Sequence, residues 1–348
     1  MLYLLLIADS FGESALEELG RAGDYDIISA QHNLIVADVK AKDIKKLDRA
    51  KFIYSYFPLY KRSRIDKRRY MHSLRDGLAK LRLGKRKSLM LECLDVNCKK
   101  GYSAKDIEVA LGTDLERQGY DIDLDSPKIL AYCVLIDWNC YCGYVTLSEH
   151  AHKFIDPFRH HKEKAISRAE FKIIEAFREF DLKTPRIAID IGAAPGGWSF
   201  FLAMRGASVI AIDSGELEYE RMRAAGVKLK EITKFKKHSI DGNSLPPKSI
   251  AHLKCGLDRA QDVIGRVGAD LIGDDINVGG IESAAAVIRY SHFMKKNAVL
   301  LMTVKCMHRK VDRYMKEVED ILRPRFVIKR WKVLPHNRQE ITLFAVKR

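Results

Sequence analysis

The sequence predicts an α/β protein with a Rossmann-like, mostly parallel sheet in its C-terminal half and a smaller α+β region before it. A β-branched run, Ile187–Ile191, leads into the glycine-rich turn Gly192–Gly197 and then into an apolar helical stretch. A second apolar run, Ala207–Ile212, follows as the next strand. The last two apolar runs, Phe326–Val333 and Ile341–Val346, are typical of a closing hairpin, so the final strand is expected to be antiparallel.

Composition limits the class of protein. A hydrophobic fraction of 47% over 348 residues allows two or three domains with full cores. No apolar run is long enough to span a membrane. The opening segment, residues 1–8, lacks the basic region and the cleavage site of a signal peptide, so we expect it to be a first strand.

Cysteine usage and net charge point to a compartment and a partner. The seven cysteines suggest no disulfide framework, and the pairs Cys93/Cys98 and Cys140/Cys142 miss the usual zinc spacings. We therefore predict free thiols, no metal and a cytoplasmic location. The formal net charge of +15 favours a polyanionic partner, nucleic acid first, the alternative being a basic protein without such a partner.

Four segments follow one another along the chain. Residues 1–60 alternate strands and helices as in a ferredoxin-like unit. Residues 61–148 open with a basic segment and continue as strand, helix and two strands. Residues 149–165 form a polar linker with four histidines, for which we expect no metal, and residues 166–348 hold the Rossmann-like domain.

The basic segment, residues 61–87, is the candidate surface for nucleic acid. A helix predicted over Arg69–Leu83 would present one apolar face and one charged face. Such a stripe neutralises phosphates without reading bases, and a solvated helix face is the alternative. Its basic residues are Lys61, Arg62, Arg64, Lys67, Arg68, Arg69, Arg75, Lys80, Arg82, Lys85, Arg86 and Lys87.

The glycine-rich turn is the candidate cofactor site. Glycines let a ligand approach closely, and we expect free N–H groups there to meet its polar atoms. Asp213 follows about 20 residues later, where an acid can hold a ribose diol. Ala194 occupies the second glycine position of the dinucleotide fingerprint, so a nicotinamide or flavin dinucleotide is disfavoured. S-adenosylmethionine, which has a ribose and a carboxylate but no phosphate, is the other ligand for such a cradle. A turn that only connects strand to helix is the alternative.

Several charged residues stand at the ends of predicted elements. Ser167-Arg-Ala-Glu170 fits a capping box, which would start a helix with Lys172 at the edge of its buried stripe. Asp270–Asp275 is a strand with acids at its carboxyl end, where open α/β sheets place their sites. Lys305 follows a long apolar strand, and Glu340 begins the last one. Taken singly, each has an ordinary alternative as a solvated surface charge.

Asp190-Ile-Gly-Ala-Ala-Pro-Gly-Gly-Trp-Ser199 resembles the cofactor motif of the FtsJ-like RNA ribose 2′-O-methyltransferases, and the RlmM-like type of large-subunit ribosomal RNA is the nearest. The resemblance is close from Ser167 to the C-terminus and looser before it, where the layout is similar to an RNA-binding THUMP domain. It implies S-adenosylmethionine as cofactor. The implied cofactor-binding residues are Asp190, Gly192, Ala193, Ala194, Pro195, Gly196, Gly197, Trp198, Asp213, Asp241 and Asp275.

The resemblance also implies a catalytic Lys-Asp-Lys-Glu tetrad, which would be Lys172, Asp275, Lys305 and Glu340. Asp274 stands where the family has Ser or Cys, so the doubled acid leaves a one-residue ambiguity. The loop Ile276–Gly280 departs from the family's proline-containing loop.

Asp241 matches a family residue that contacts the adenine amino group; a turn-capping aspartate is the alternative reading of this position.

The activity implied by the resemblance is S-adenosylmethionine-dependent 2′-O-methylation of RNA, with ribosomal RNA ahead of tRNA. A base methyltransferase would usually need a thiolate or an Asn/Asp-Pro-Pro-Tyr loop after the fourth strand, and Asp274–Asn277 offers neither. An RNA-binding or assembly factor that keeps the fold without turnover is the second hypothesis, and a dinucleotide oxidoreductase is the third.

Overall fold

The structure is a computed structural model that describes residues 1–348 apart from 24, 32, 82, 85–86, 96–100, 147–164, 234–235, 239 and 307–309. The chain divides into two compact units, Met1–His160 and His161–Arg348. Of the predicted linker, residues 149–165, all but the last lie outside the described residues, including His150, His152, His160 and His161.

The N-terminal unit begins with a four-stranded antiparallel sheet. Its elements are β1 (Leu2–Ile7), α1 (Gly12–Ala22), β2 (Tyr25–Gln31), β3 (Leu34–Val39), α2 (Ile44–Leu47) and β4 (Ile53–Leu59). The strand order is β2-β3-β1-β4, and both neighbours of β1 run antiparallel to it. This βαββαβ arrangement agrees with the ferredoxin-like layout predicted from the sequence.

A second four-stranded sheet completes the N-terminal unit. Its elements are β5 (Lys61–Arg64), α3 (Tyr70–Ala79), β6 (Leu89–Asp95), α4 (Ala104–Arg117), β7 (Ile129–Ile136) and β8 (Asn139–Thr146), and the strand order is β5-β8-β7-β6. The helix predicted over Arg69–Leu83 is shorter in the structure, where α3 ends at Ala79. Ser103 caps α4 through a capping box with Asp106. The two sheets share one core, in which Phe57 packs edge-on against Tyr132.

The C-terminal unit has one eight-stranded sheet. Its strands are β9 (Ile187–Ile191), β10 (Ser208–Ile212), β11 (Lys228–Ile232), β12 (Ser249–Leu253), β13 (Ala269–Asp274), β14 (Met294–Lys305), β15 (Phe326–Lys332) and β16 (Glu340–Lys347). The order is β11-β12-β10-β9-β13-β14-β16-β15. The strands from β11 to β14 are parallel, and β16 runs antiparallel to both of its neighbours. The Rossmann-like prediction with an antiparallel final strand is therefore confirmed.

Helices connect these strands. They are α5 (Arg168–Glu179), α6 (Gly197–Met204), α7 (Tyr219–Ala224), α8 (Leu257–Val263), α9 (Gly280–Tyr290) and α10 (Val311–Leu322). The central strands β9, β10 and β12 are buried along their whole length, as expected for a parallel sheet covered on both faces. Ile191 lies opposite Ile212 and Asp274, so the loops after β9, β10 and β13 share one edge of the sheet.

The capping box predicted at Ser167 does not form. The Ser167 side chain makes no cap hydrogen bond, and Glu170 accepts instead from the backbone N–H of Ile166 at 2.9 Å. Ser167 Oγ faces Gly197, where an added Cβ would come within 2.6 Å of it. The tight packing of α5 on α6 has taken the place of the cap.

Candidate active site

Four charged side chains from four separate elements meet at the carboxyl edge of the parallel strands. Lys172 Nζ lies 3.1 Å and 3.2 Å from the two carboxylate oxygens of Asp275 and 2.6 Å from Glu340 Oε2. Lys305 Nζ lies 2.8 Å from Asp275 Oδ1 and 3.6 Å from Glu340 Oε1. Each lysine therefore contacts both acids, and the predicted tetrad residues are brought together.

Local structure explains why these residues converge. Lys172 lies in the first turns of α5, and Asp275 directly follows β13. Lys305 ends β14 and Glu340 begins β16, and the antiparallel register places these two residues opposite each other. Opposite residues in an antiparallel pair have neighbouring side chains. The β14–β16 pairing therefore fixes half of the cluster.

Thr303 belongs to the same cluster, although the sequence reading did not single it out. Its hydroxyl donates to Asp275 Oδ1 at 2.5 Å and accepts from Lys305 Nζ at 2.7 Å. Side chains two residues apart on a strand share a face, so the position of Lys305 was a signal for Thr303. The hydroxyl is fully buried and links the acid to the lysine.

The tetrad is nearly closed to solvent and electrically balanced. The exposed fractions of the four side chains are 6% for Lys172, 10% for Asp275, 12% for Lys305 and 15% for Glu340. Two ammonium groups and two carboxylates carry no net charge, which makes their shared burial tolerable. Burial works to raise the pKa of Asp275, but the charges of Lys305 and Lys172 and the bonds from Lys305 and Thr303 lower that pKa below its ordinary value.

The structure separates the two neighbouring acids. Asp275 faces the lysines, whereas Asp274 is fully buried and accepts hydrogen bonds from the Ser283 hydroxyl and from the Ile276 N–H. Burial raises the pKa of Asp274 to about 7, against the opposing effect of the Ser283 bond. Asp274 thus holds the start of α9 and the loop after β13, and Asp275 is the acid placed in the cluster.

The glycine turn is a close-packed bend. Gly192 and Gly196 have φ values of +76° and +112°, a region that disfavours other residues. A Cβ at Gly192 would lie 2.6 Å from Ile276 Cα, and one at Gly196 would lie 2.1 Å from the Met222 side chain. The loop Ile276–Gly280, which departs from the family pattern, therefore contacts the turn directly. Pro195 is exposed at its outer side, after a cis peptide bond.

The expectation of free N–H groups in the first half of the turn is wrong. The N–H groups of Gly192 and Ala193 donate to Ile212 O at 3.0 Å and 3.2 Å. The N–H of Ala194 donates to Asp213 Oδ2 at 3.0 Å. These donors continue the β9–β10 contact beyond the strands, so they are used inside the protein. A ligand that needs a phosphate cradle at these three residues would find no free donor in them.

Asp190 and Trp198 support the turn from below. Asp190 is buried and accepts from the Ser199 hydroxyl at 2.6 Å, while its Oδ1 has no hydrogen-bond partner among the described residues. Burial raises the pKa of Asp190 to about 7. Trp198 is buried against Gly273, where an added Cβ would come within 2.8 Å of the indole ring. Because Gly273 has no side chain, the Trp198 ring can pack between β13 and the turn.

Asp213 stands at the end of β10 beside the turn, as predicted. Its two carboxylate oxygens accept from the N–H groups of Ala194 at 3.0 Å and Gly215 at 2.7 Å. A carboxylate has about four acceptor positions, so two such bonds leave capacity for a ligand's hydroxyl groups. The residue therefore orients the loop and keeps an open acceptor side.

Asp241 is not part of the site, so the prediction for this residue is corrected. Its neighbour Gly242 donates to Arg266 O, and a Cβ there would lie 2.9 Å from the side chain of Ile187, the first residue of β9. Asp241 therefore lies at the amino edge of the strands, opposite the glycine turn. The strand order explains why the prediction was wrong. Counted outward from β9, the third strand is β12 and not β11. Asp241 lies on the segment that returns from the end of β11 to the start of β12. Its carbonyl caps the short turn at Ser244.

Helix α5 is held against the β15–β16 hairpin by charged pairs on the stripe that carries Lys172. Glu175 accepts from the backbone N–H of His336 at 3.0 Å and from its Nδ1 at 2.5 Å. One turn further, Glu179 Oε1 lies 3.1 Å from Lys332 Nζ. These pairs fix the helix bearing Lys172 relative to the loop that leads into Glu340.

Comparisons with known proteins agree with this geometry. Residues 165–310 match the family model described as FtsJ-like methyltransferase. The chain is 26% identical over 273 residues to the "Ribosomal RNA large subunit methyltransferase M" of Shewanella oneidensis, covering 73% of this chain and 69% of that protein. It is 30% identical over 153 residues to the protein of that name from a Shewanella species, strain MR-4, covering 40% and 42%.

Among solved structures, TrmN from Thermus thermophilus aligns over 100% of both chains at 14% identity and a TM-score of 0.47, a likeness from which nothing further is concluded. No helix among the described residues is long and apolar enough to cross a membrane. Residues 165–310 of the C-terminal unit are thus similar to the FtsJ-like methyltransferases, and the chain is an enzyme of the methyltransferase class.

Proposed function

We propose that this enzyme transfers a methyl group from S-adenosylmethionine to a ribose 2′-hydroxyl of RNA, with large-subunit ribosomal RNA as substrate. The observation that carries the proposal is the convergence of Lys172, Asp275, Lys305 and Glu340 at the edge of the sheet where the glycine turn lies. The relatives named as methyltransferases of large-subunit ribosomal RNA support the choice of substrate.

The residues around the turn fit S-adenosylmethionine better than a dinucleotide. Gly192 and Gly196 let the turn pack closely on Ile276 and Met222, which fixes its position at the sheet edge. Asp213 keeps acceptor capacity for a ribose diol, and Asp190 Oδ1 is a buried acceptor without a partner among the described residues. The N–H groups of Gly192, Ala193 and Ala194 are already used, which disfavours a pyrophosphate at these donors and suits a ligand without phosphates.

The tetrad suits the requirements of methyl transfer. The cofactor supplies a methyl carbon on a sulfonium, and the protein must aim a hydroxyl oxygen at it and help remove the hydroxyl proton. We assign Lys305 to the position nearest the hydroxyl, as base or orienting group. Asp275 and Thr303 hold the Lys305 ammonium at 2.8 Å and 2.7 Å. Lys172 and Glu340 would fix the hydroxyl and the neighbouring phosphate.

The N-terminal unit would bind the RNA as a THUMP-like module. Nine of the twelve basic residues of the basic segment fall within the described residues, and all nine are exposed. Lys67 Nζ lies 4.5 Å from the centre of the half-buried Trp138 ring. An aromatic face beside a cation suits the stacking and phosphate contacts of RNA. We place this reaction in the cytoplasm, as the free thiols suggest.

The test compares Lys305→Ala with Lys296→Ala, an exposed lysine on the same strand. Radiolabelled methyl transfer to bulk RNA and to purified large-subunit ribosomal RNA is measured, and calorimetry measures cofactor binding. Lys305→Ala is expected to lose transfer by about 10²–10⁴-fold with unchanged cofactor affinity, while Lys296→Ala keeps both. Normal turnover by Lys305→Ala would end the assignment of Lys305.

The same assays separate the alternatives. Cofactor binding without methyl transfer to any RNA would favour an assembly factor that keeps the fold without turnover. Transfer to tRNA but not to ribosomal RNA would move the substrate to the tRNA alternative. Tight binding of NAD in place of S-adenosylmethionine would overturn the cofactor assignment. Mapping ribose methylation in RNA from cells with and without the gene would then locate the target nucleotide.

A further inference from the structure

Three cysteine side chains meet on one face of the second sheet of the N-terminal unit. Cys133 Sγ lies 3.5 Å from Cys142 Sγ, and Cys140 Sγ lies 3.3 Å from Cys142 Sγ. The three sulfur atoms lie within 4.8 Å of one another, and all three residues are completely buried. They form a compact group of soft ligands far in sequence from the methyltransferase residues.

The hairpin explains why sequence spacing alone did not reveal this cluster. Cys133 on β7 lies directly opposite Cys142 on β8. Cys140 is two residues before Cys142 on β8, so its side chain points to the same face. The Cys140/Cys142 spacing misses the usual zinc pairs, but the third ligand comes from the neighbouring strand and needs no sequence spacing of its own.

Helix α3 packs closely on the cluster. Its residue Gly77 lies over the sheet at this point, and a Cβ there would be 3.2 Å from Cys142 Sγ, 3.6 Å from Cys140 Sγ and 3.3 Å from Ser63 Oγ. Glycine inside a helix costs about 1 kcal/mol relative to alanine, so such a residue often marks a close approach. Two of the thiols and the Ser63 hydroxyl therefore lie around one point beside Gly77.

Ser63 supplies an independent sign of a ligand. It is paired with Cys140 across the β5–β8 ladder. Its hydroxyl oxygen is buried and has no hydrogen-bond partner among the described residues. A buried hydroxyl without a partner costs free energy, so such groups usually have a use. Here the hydroxyl lies beside Gly77, next to two of the three thiols.

We propose that Cys133, Cys140 and Cys142 bind one thiophilic metal ion, of which Zn²⁺ is the cation that these ligands suit best, with Ser63 Oγ or a water as fourth ligand. Thiolates bound to zinc at about 2.3 Å in a tetrahedron have sulfur–sulfur separations of about 3.8 Å. The sulfur separations of 3.3 Å and 3.5 Å are only a few tenths of an ångström shorter. Small outward rotations of the side chains would admit the ion.

Protons and charge balance in this step. Starting from three thiols, binding breaks three S–H bonds, forms three S–Zn bonds and releases three protons to solvent. No oxidant or reductant takes part. The bound site carries one net negative charge, and its affinity should rise with pH because protons leave.

Such a site would stabilise the part of the chain that carries the basic segment. Cys140 and Cys142 belong to β8, which pairs with β5, and Gly77 of α3 packs on them, so the ion would lie beside both basic elements. Metal binding to the folded state alone adds directly to folding stability. The proposal concerns the N-terminal unit and does not depend on the assignment of the methyltransferase reaction.

The test uses the full chain, purified under reducing conditions, metal-loaded and dialysed. Elemental analysis is expected to give one zinc per chain. Titration of the metal-free protein with Co²⁺ should produce a thiolate charge-transfer band at one equivalent, with three protons released as measured by calorimetry in different buffers. Cys142→Ala should lose the zinc and the band. Cys93→Ala is the matched control, because Cys93 is a buried thiol opposite Cys133 but outside the cluster.

Three results would overturn the proposal. The first is wild-type protein that retains no zinc and gives no cobalt–thiolate band, a result that requires no variant to fold. The second is loss of zinc in Cys93→Ala to the same extent as in Cys142→Ala, which would remove the three-cysteine assignment. Zinc retained by Cys142→Ala would place the metal elsewhere and have the same consequence.

Discussion

The basic segment of the N-terminal unit and the tetrad of the C-terminal unit use lysine in opposite ways. Lys67 and Lys61 are exposed on the basic segment, where water and salt surround the charge. Lys172 and Lys305 are almost fully buried, and each is held by the same two carboxylates. Charges in water act nearly independently and weakly, whereas buried charges depend on every partner.

The difference shows that residue type does not assign a role. A surface lysine contributes to long-range attraction of a polyanion and tolerates replacement. A buried lysine is fixed in position by its acids, which is the requirement for aligning a reacting group. Substitutions should therefore have large, coupled effects in the tetrad and small, additive effects in the basic segment.

Asp275→Asn should have the greatest effect. It leaves two buried lysines with Glu340 as the remaining acid of the tetrad, so the unfolding free energy should fall by about 3–5 kcal/mol. Methyl transfer should fall together with it. Asp258→Asn is the control, because Asp258 is 87% exposed in its pair with Arg289. Chemical denaturation measures both variants, and an Asp275→Asn protein as stable as the control would contradict the coupled view of the tetrad.

Asp274→Asn should change the pH dependence of stability. The folded-state pKa of Asp274 is raised from 3.8 to about 7, so between these values the folded protein holds a proton that the unfolded chain has lost. Stability therefore falls as pH rises through this window, by at most about 1.4 kcal/mol per pH unit for one group. Asparagine removes this slope, so the melting temperature of the variant should rise relative to that of wild type as pH rises from 4 to 7.

The pKa of Asp190 is also raised to about 7. Its contribution to the fall of stability with pH is therefore present in wild type and in Asp274→Asn alike and cancels in the comparison. Asp275, whose pKa is lowered, has the opposite sign: its stabilisation is present above the unfolded-state pKa and is lost as pH falls through the folded-state value. If the difference in stability between Asp274→Asn and wild type stays constant from pH 4 to 7, the pKa of Asp274 is not raised by burial.

Glu175→Gln should reduce turnover by about 10-fold through misplacement of Lys172 and Glu340. The substitution weakens the contact between α5 and His336 but leaves the tetrad residues themselves unchanged. We expect a lower kcat with unchanged KM for the cofactor. Glu179→Gln, on the same helix and paired with Lys332, is the comparison that lies further from Lys172. Equal losses in both variants would indicate a general weakening of the helix rather than positioning.

Substitution in the basic segment should have the smallest effect. Replacing Lys67 and Arg68 by alanine should raise KM for RNA a few-fold and leave kcat unchanged. The slope of log KM against log salt should decrease by about one for each phosphate that the variant no longer neutralises. Lys45→Ala, an exposed lysine of α2, serves as the control. Steady-state kinetics at several salt concentrations would refute a role of this surface if the double variant and the control behaved alike.

Much of the site could be predicted because its residues stand at the ends of strong local patterns. A buried strand, a glycine turn and a helix are recognisable from their own residues, and the carboxyl ends of parallel strands share an edge. Asp213 and Lys305 could therefore be placed from the sequence, as could the Asp274–Asp275 pair, although not which of the two acids meets the lysines. Asp241 could not, since chain order was taken as sheet order and β11 occupies the edge of the sheet. The expectation of free N–H groups in the turn was wrong for a related reason. Their acceptors belong to β10 and to Asp213, and the turn's own residues do not reveal these partners.

The amino-acid sequence was sufficient for the strands, the glycine turn and the helix of the Rossmann-like domain, because these depend on residues that are neighbours in the chain, and the family resemblance indicated the four charged residues. Tertiary packing alone decided that Asp275 rather than Asp274 meets the lysines, that Thr303 joins them and that Cys133 completes a thiol cluster. Periodicity fixes the face on which a side chain lies. The partner that meets it there depends on strand order and register, which are set by the packing of the whole unit.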